Sequence, residues 1–243
     1  MSAMENWQER TEMLLTPSCM DRLRAARVIV VGAGGVGAYA AEMLVRAGVG
    51  HLVIVDSDTV GLSNINRQLL ALHSTVGEKK VDVLGRRLRD INPDLDLNCI
   101  QEYLSEANIP DVLPESDMIV DAIDTLSPKI ALIQYCLSRN IPLVSSMGSG
   151  AKFDVTRIRI ADISKTKMCP LAHMLRKRLH KLGIDSGFTA VYSEEPPHKD
   201  SVVIEESRNK KSQVGTISYL PAAFGCACAQ AAILRIAGID ENC

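Results

Sequence analysis

Short apolar segments alternate with longer amphipathic segments through the first 150 residues of the chain. Runs rich in Val, Ile and Leu predict strands, and they cover residues 28–31, 51–55, 95–100, 118–121 and 143–146. Apolar positions spaced three and four apart predict helices, and these cover residues 38–47, 78–91 and 129–139. The residues before this region read as an N-terminal helical arm. Because strands and helices alternate, we predict an α/β, Rossmann-like fold with a doubly wound, mainly parallel sheet.

The pattern changes after residue 150. Alternating positions predict strands at 156–160 and 216–220, a strongly basic helix covers 171–182, and a charged loop rich in proline and lysine covers 194–211. An alanine-rich apolar helix follows the last strand. We expect the additional C-terminal strands to extend the same sheet, so that residues 1–243 form a single domain. Its parts are a helical arm at 1–24, a core at 25–150 and a sheet-extending part at 151–243.

Composition and charge exclude several classes of protein. Lys and Arg total 27 against 29 Asp and Glu, a formal net charge of −2, so the chain is not a uniformly basic nucleic-acid binder. No apolar signal segment is visible, and no stretch reaches the roughly 18–20 apolar residues that span a bilayer. The longest apolar run, 219–234, reads as a buried core helix. We therefore expect a cytoplasmic protein without a membrane span.

The segment after the first strand carries the clearest chemical signal. It is a G-x-G-x-x-G pattern between a strand and a helix, and it reads Gly32-Ala33-Gly34-Gly35-Val36-Gly37. Gly32 allows the tight turn, Gly34 lets the backbone approach a phosphate, and Gly37 lets the helix pack closely on the strand. Unpaired N–H groups at the helix N-terminus attract the anion. The motif predicts a nucleotide site, and by itself it suits NAD as well as ATP.

Polar residues further along the chain favour ATP. Asp56 follows the second strand, where a carboxylate binds a ribose in either kind of site. A polar loop at 56–68 then holds Arg67, and Lys80 lies in the first turn of a helix, where the dipole disfavours a cation unless it serves another anion. Asp124 follows the end of a strand, at the ligand-binding edge of such sheets. Singly, these could be surface or turn residues; together, Arg67 and Lys80 would neutralise phosphate and Asp124 would hold Mg²⁺.

The order of these residues resembles that of the ubiquitin-activating-enzyme-like adenylyltransferases, the ThiF/MoeB/HesA superfamily. The matching positions are the glycine loop 32–37, Asp56, Ser63, Asn64, Ile65, Asn66, Arg67, Gln68, Lys80 and Asp124. The resemblance implies that Asp56 binds the ribose, that Asn64, Arg67 and Lys80 bind phosphates, and that Asp124 binds Mg²⁺. Ser63, Gln68 and the glycines Gly32, Gly34, Gly35 and Gly37 would complete the ATP site. It also implies a homodimer in which an arginine of the N-terminal arm, here Arg10, reaches the partner's site.

The C-terminal half resembles one branch of this superfamily, the tRNA threonylcarbamoyladenosine dehydratases. The resemblance rests on residues 145–152, 158–166, 170–172, 176–179, 192–196 and 215–222. It implies ATP-dependent adenylation of the threonyl carboxylate of a tRNA nucleoside, followed by a ring closure that releases AMP. The part at 151–243 would then bind substrate, and the modified tRNA and a sulfur-relay protein would be the partners. One departure is Cys169, which stands where an acidic residue is expected before Pro-Leu.

Basic and thiol side chains in the second half have two readings each. Arg176, Lys177, Arg178 and Lys181, with the basic residues at 208–211, would contact RNA phosphates, although charge alone favours a solvated helix face and loop. Of the seven cysteines, the candidate acyl or persulfide carriers are Cys169, Cys226 and Cys228. Buried, inert cysteine is the commoner case, so we leave all seven out of the catalytic set.

Two other functions stay open on the sequence alone. An adenylyltransferase for the C-terminal glycine of a ubiquitin-like or sulfur-carrier protein would share the ATP site. Relatives of that kind usually bind zinc through two C-x-x-C pairs, and this sequence contains no such pair. An NAD-binding oxidoreductase or a nucleotide sensor would share the glycine loop, but Arg67, Lys80 and Asp124 count against NAD.

Overall fold

The computed structural model describes residues 6–203 and 213–239 of the chain. The helices in these ranges are α1 Glu9–Leu14, α2 Pro17–Ala25, α3 Gly37–Ala47, α4 Lys80–Ile91, α5 Ile109–Val112, α6 Leu126–Ser138, α7 Pro170–His180 and α8 Tyr219–Ala237. The strands are β1 Arg27–Val31, β2 His51–Val55, β3 Asp96–Ile100, β4 Met118–Asp121, β5 Leu143–Ser146, β6 Ile158–Asp162, β7 Thr189–Ser193, β8 Val202–Val203 and β9 Gln213–Val214.

One sheet in the order β3-β2-β1-β4-β5-β7-β6 organises the molecule. Its neighbouring strands are parallel, except that β6 runs antiparallel to β7 at one edge. The chain moves outward from β1 to β3 and then returns to β4, so the strand order reverses between β1 and β4. Ligands of such sheets bind outside the carboxyl ends of the strands at this point. The predicted Rossmann-like, mainly parallel sheet is confirmed, as is its extension by C-terminal strands.

Helices cover both faces of the sheet. Alternate side chains of β1 show this, because Val28 and Val30 belong to the core cluster under α3, α4 and α8. Ile29 and Val31 belong instead to the cluster under α6 and α7. Strands buried on both faces read as continuous apolar runs, which is why the pattern along the chain predicted them.

The terminal helix α8 packs on α3 and across the middle of the sheet. By length and composition it is apolar enough to cross a membrane, which corrects the expectation that no stretch is long enough. Nine of its residues are nevertheless buried in the core. At Gly225 a Cβ would lie only 2.5 Å from the Val36 carbonyl oxygen, so α8 and α3 approach closely. These contacts agree with the prediction of a buried core helix.

Several boundaries differ from the sequence prediction. The strand expected at 216–220 is wrong, because α8 begins at Tyr219 and places Pro221 in its first turn, where a missing N–H is tolerated. Helix α4 begins at Lys80 rather than at residue 78. The strand expected at 156–160 is β6, which lies two residues later, and β7 was not predicted. The basic residues at 208–211 lie outside the described residues.

Candidate functional site

The glycine loop lies between β1 and α3 at the point where the strand order reverses. Gly32 has a φ of +94°, and a Cβ there would lie 2.9 Å from the Ala122 carbonyl oxygen in the loop after β4. At Gly37 a Cβ would collide with the Gly32 carbonyl oxygen. A Cβ at Gly34 would meet only Gln68 Nε2, at 3.8 Å. The loop therefore turns back tightly on β1 and leaves an open backbone at Gly34, where an anion can approach the N-terminus of α3.

Asp56 lies directly after β2 and faces this loop. Its carboxylate accepts hydrogen bonds from the backbone N–H of Ala33 at 2.6 Å and of Asp58 at 2.8 Å. Burial raises the pKa of Asp56 above its ordinary value, although Lys80 and the two N–H groups act in the opposite sense. The side chain is therefore held in place beside the glycine loop, where a ribose-binding carboxylate is expected.

Arg67 extends from the polar loop after β2. Its Nη1 donates hydrogen bonds to the Ser63 carbonyl at 2.9 Å and to Asn66 Oδ1 at 2.7 Å. Its stem packs near the glycine loop, since a Cβ at Gly35 would lie 3.6 Å from Arg67 Cγ. Asn64 Oδ1 accepts the Gly61 N–H at 3.0 Å, which closes the turn before Arg67. The structure thus brings Arg67 to the glycine loop, while Ser63 and Asn64 belong to the turn that precedes Arg67.

Gln68 provides an unsatisfied polar group at the same place. Its side chain is 9% exposed, and its Oε1 has no hydrogen-bond partner among the described residues. Buried carbonyl groups are almost always paired in folded proteins. The other end of the amide, Gln68 Nε2, lies beside the open backbone of Gly34, where it can donate a hydrogen bond to an anion.

Lys80 begins α4 and is almost completely buried. Its Nζ lies 2.8 Å from Asp58 Oδ2, so the anion that the sequence required is supplied by the chain itself. The Lys80 backbone N–H also donates to the Asp58 carbonyl at 3.1 Å. Asp58 remains 65% exposed, and Lys80 acts electrostatically on Asp56, so the ion pair lies beside the carboxylate that faces the glycine loop. A second anion can share the ammonium group, which has three N–H donors.

Asp124 is exposed in the loop that follows β4. That loop rests on a buried network which the sequence did not reveal. Lys129 Nζ contacts Asp121 Oδ2 at 2.7 Å and the Ile123 carbonyl at 2.9 Å, and Ser145 Oγ donates to the same carboxylate at 2.7 Å. The available signal was a lysine in an otherwise apolar stretch of a predicted helix. The network ties the ends of β4 and β5 together beneath Asp124.

Arg10 is exposed on α1. Nothing in a single chain shows the contact with a partner's site that the resemblance implied for it.

The basic residues of α7 divide into two groups. Arg176 is half-buried and donates to the Thr166 carbonyl at 2.7 Å and to the Thr166 hydroxyl, so it holds the preceding turn. Lys177, Arg178 and Lys181 are exposed. Lys177 and Lys181 border one surface groove. This surface can receive phosphates, but Arg176 is already engaged.

The three candidate cysteines occupy different environments. Cys169 is buried at the start of α7, and Cys226 is exposed on α8. Burial raises the pKa of Cys228 to about 12. Burial also raises the pKa of Cys226. Raised pKa values favour the unreactive thiol over the thiolate at neutral pH.

Comparisons with known proteins extend over the whole described fold. A model described as the ThiF family matches residues 8–243. The tRNA threonylcarbamoyladenosine dehydratase of Bacillus subtilis (strain 168) is 42% identical over 203 residues, which cover 83% of this chain and 78% of that protein. The crystal structure of Escherichia coli tRNA N6-threonylcarbamoyladenosine dehydratase, TcdA, in complex with ATP, matches with a TM-score of 0.87 at 32% identity and covers 96% of both chains.

A second kind of relative matches less of the chain. The molybdopterin-synthase adenylyltransferase of E. coli (strain K12) is 37% identical over 125 residues. That match covers 51% of this chain and 50% of that protein.

Proposed function

The chain belongs to the ThiF family, and on that premise we propose that it is an ATP-dependent tRNA threonylcarbamoyladenosine dehydratase. The observation that carries this proposal is the extent of the likeness to the dehydratases, which reaches 96% of the chain in the structural match. A match confined to the first half would support nucleotide binding alone. The likeness instead includes the C-terminal part, where we place the substrate.

The residues at the carboxyl edge fit ATP. The open backbone at Gly34, the N-terminus of α3 and the Gln68 Nε2 donor beside Gly34 suit phosphate groups. We assign Asp56 to the ribose hydroxyls. Phosphate contacts are assigned to Asn64, Arg67 and Lys80, with Ser63 in the supporting turn.

Asp124 is the proposed Mg²⁺ ligand. Its carboxylate is exposed at this edge, and a single carboxylate suits a cation whose remaining ligands are phosphate oxygens and water. Bound there, Mg²⁺ would supply charge neutralisation on the phosphates. The network of Lys129, Asp121 and Ser145 would hold the loop that carries Asp124 in place.

The reaction follows from the chemistry of the nucleoside. One oxygen of the threonyl carboxylate attacks the α-phosphorus of ATP, and pyrophosphate leaves. An atom of the ureido group of the same nucleoside then attacks the activated acyl carbon, and AMP leaves with the former carboxylate oxygen. The ring closure is intramolecular, so no enzyme nucleophile is required. Arg67 and Lys80 stabilise the charge that develops on the phosphates.

The remaining assignments concern the partner molecules. We place nucleotide binding in residues 25–150 and substrate binding in residues 151–243, with tRNA phosphates on Lys177, Arg178 and Lys181. The protein would act as a homodimer in which Arg10 serves the partner's site, in the cytoplasm where tRNA is modified. A sulfur-relay protein is a further proposed partner.

The direct test uses tRNA that already carries threonylcarbamoyladenosine. The protein is incubated with this tRNA and Mg-ATP. The tRNA is then digested to nucleosides, and their masses are measured by mass spectrometry. We expect loss of one water from that nucleoside, dependent on ATP, and a decrease of about 100-fold or more in Arg67→Ala. Arg139→Ala is the matched control, because Arg139 stacks on Tyr135 at the far end of α6. An unchanged nucleoside with wild-type protein would contradict the proposal.

The second candidate is an adenylyltransferase for a protein carboxylate. The partial likeness to the molybdopterin-synthase adenylyltransferase, which covers 51% of this chain, supports it. Pyrophosphate release that requires a small protein ending in Gly-Gly, with no change in the tRNA nucleoside, would favour this candidate.

A further inference from the structure

Lys152 is a buried lysine to which we assign no contact with ATP. Its side chain is 2% exposed, and among the described residues its Nζ makes a single hydrogen bond, to the Gly148 carbonyl at 3.4 Å. An ammonium group has three N–H donors, and a charge buried without a partner is unfavourable. Lys129 is equally buried but contacts the Asp121 carboxylate at 2.7 Å. Within the part of the chain that the structure describes, Lys152 has no carboxylate partner.

The loop that carries Lys152 leaves the sheet beside the loop that carries Asp124. Asp121 and Ser145 are paired in register on β4 and β5, so both loops start from the same level of the carboxyl edge. Asp124 lies three residues after Asp121, and Gly148 lies three residues after Ser145. Neighbouring strands lie about 4.8 Å apart. The ammonium group, which is bonded to Gly148, therefore lies at the edge where we place the phosphates.

The same loop also contacts the polypeptide that borders the nucleotide loop. The Ala151 N–H donates to the Gly215 carbonyl at 2.8 Å. One residue further on, the Thr216 carbonyl accepts a hydrogen bond from Asn66 Nδ2 at 3.1 Å. Lys152 thus lies between the nucleotide half and the C-terminal half of the chain.

Several contacts hold this loop in an unfavourable backbone conformation. Ala151 has a φ of +58°, which residues other than glycine rarely adopt. Glu195 accepts the backbone N–H of Phe153 at 3.0 Å and of Asp154 at 2.8 Å. The backbone strain at Ala151 is therefore supported by specific hydrogen bonds, and such strain is concentrated at functional sites.

Two exposed aromatic residues belong to the Lys152 loop or contact its backbone. Phe153 is 53% exposed and Tyr219 is 47% exposed, and the Tyr219 hydroxyl donates to the Phe153 carbonyl at 2.9 Å. Exposed aromatic rings are the groups on which unstacked RNA bases stack. A base stacked on either ring would lie against the loop that carries Lys152.

We propose that Lys152 binds the carboxylate of the tRNA nucleoside and holds it for attack on ATP, with Glu195 as the positioning residue for its loop. The inference rests on the proposed function, because it assigns the carboxylate that this function activates. An ammonium group at this position lowers the repulsion between the carboxylate and the triphosphate, both of which are anionic. It also orients one carboxylate oxygen toward the α-phosphorus, which makes the attack effectively intramolecular.

The experiment compares Lys152→Met, which keeps the length of the side chain, with Lys152→Arg, which keeps its charge. Rates are measured against the concentration of tRNA carrying threonylcarbamoyladenosine and, separately, against ATP, and ATP affinity is measured by calorimetry. We expect Lys152→Met to lower kcat/KM for the tRNA by about 100-fold and to change the Kd of ATP by less than about twofold. Lys152→Arg should retain most of the activity. Glu195→Gln should raise KM for the tRNA while keeping the affinity for ATP.

Each outcome decides a different question. If the wild-type protein dehydrates the nucleoside and Lys152→Met does so with the same kcat/KM, the role of Lys152 is overturned. A weakened ATP affinity in Lys152→Met would assign the ammonium group to a phosphate and would also overturn it. No dehydration by wild-type protein would overturn the proposed function instead. If Lys152→Met does not fold, as judged by circular dichroism, Lys152→Gln takes its place in the same comparison.

Discussion

The two sides of the carboxyl edge are built in different ways. Beside β1 and β2 the backbone makes the site, since a Cβ at Gly37 would collide with the carbonyl of Gly32 and only glycine allows the turn. Beside β5 a side chain makes it, because Glu195 holds the backbone of Phe153 and Asp154. Members of a large family bind the same nucleotide, whereas the carboxylate that they activate with it differs from one member to another. Backbone geometry suits the shared ligand, and side chains suit the variable one.

The largest effect is expected where the two sides meet, between β4 and β5. Lys129→Met leaves the buried carboxylate of Asp121 without its cation, and we expect the free energy of unfolding to fall by about 3–5 kcal/mol. Urea unfolding followed by circular dichroism measures the loss. The double variant Lys129→Met with Asp121→Asn removes both charges and should recover part of it. A loss below about 1 kcal/mol would show that this pair does not join the two sides.

The backbone-built side is tested by Gly37→Ala. The added methyl group meets the carbonyl of Gly32, so the loop must shift, and we expect a loss of about 1–3 kcal/mol in stability together with at least tenfold weaker ATP binding. Gly61→Ala is the matched control, because a Cβ there finds its nearest neighbour at 3.6 Å. Equal ATP affinity in the two variants would contradict a site made by backbone contact.

The side of the edge that side chains build is tested by measuring stability against pH. Burial pushes the pKa of Glu195 upward, but the N–H groups of Asp154 and Phe153 and the ring of His198 outweigh it, so the pKa is lowered. The ionised carboxylate therefore stabilises the fold above its unfolded pKa of about 4.3, and this contribution is lost as the pH falls through the lowered value. Glu195→Gln should thus be most destabilised near neutral pH.

The difference from wild type should shrink below about pH 4. Thermal unfolding across this range measures it, with the exposed Glu115→Gln as control. A difference of equal size at every pH would show that the charge of Glu195 is not what holds the loop.

A smaller effect is expected from the exposed cations of α7. The combined change of Lys177, Arg178 and Lys181 to Ala should weaken tRNA binding and reduce the slope of log K against log salt by about 2–3. Arg176 is left in place because it holds Thr166. A control removes three charges from helices on the other face of the sheet, with Arg46, Arg86 and Arg89 changed to Ala. An unchanged slope in the α7 variant would remove this surface from the tRNA interface.

The smallest effect concerns the buried thiols. Burial raises the pKa of Cys136 and of Cys228 to about 12, so at neutral pH both remain thiols. Iodoacetamide should leave both unlabelled in the folded protein and label them after denaturation, as measured by peptide mass. Cys226, which is exposed on α8, should be modified before either of them. Modification of Cys228 in the folded protein would show that α8 does not lie closed on the sheet.

Most of the parallel sheet could be predicted because its strands are apolar runs between helices. The runs at β1, β2, β4 and β5 show this, since their ends fall within a residue of the prediction. The strand expected at 216–220 failed because an alternating pattern also fits a turn that enters a helix. Strand β7 was missed, since it leads into a charged loop rather than into a helix. The nucleotide side of the candidate site was predictable as a set, whereas Lys152 and Glu195 were not.

Features that are controlled by neighbours along the chain could be inferred from the amino-acid order. These are the alternation of strands and helices, the glycine turn, and the order of Asp56, Arg67, Lys80 and Asp124 along the chain. The polar groups that meet, and those that are left unpaired among the described residues, depend on the packing of the sheet and its loops. This packing pairs Lys80 with Asp58 and places Gln68 Nε2 beside Gly34, and among the described residues it leaves Gln68 Oε1 without a donor and Lys152 without a carboxylate. The reason is physical: local sterics set the backbone, but the partners of a charge depend on which strand ends the sheet places side by side.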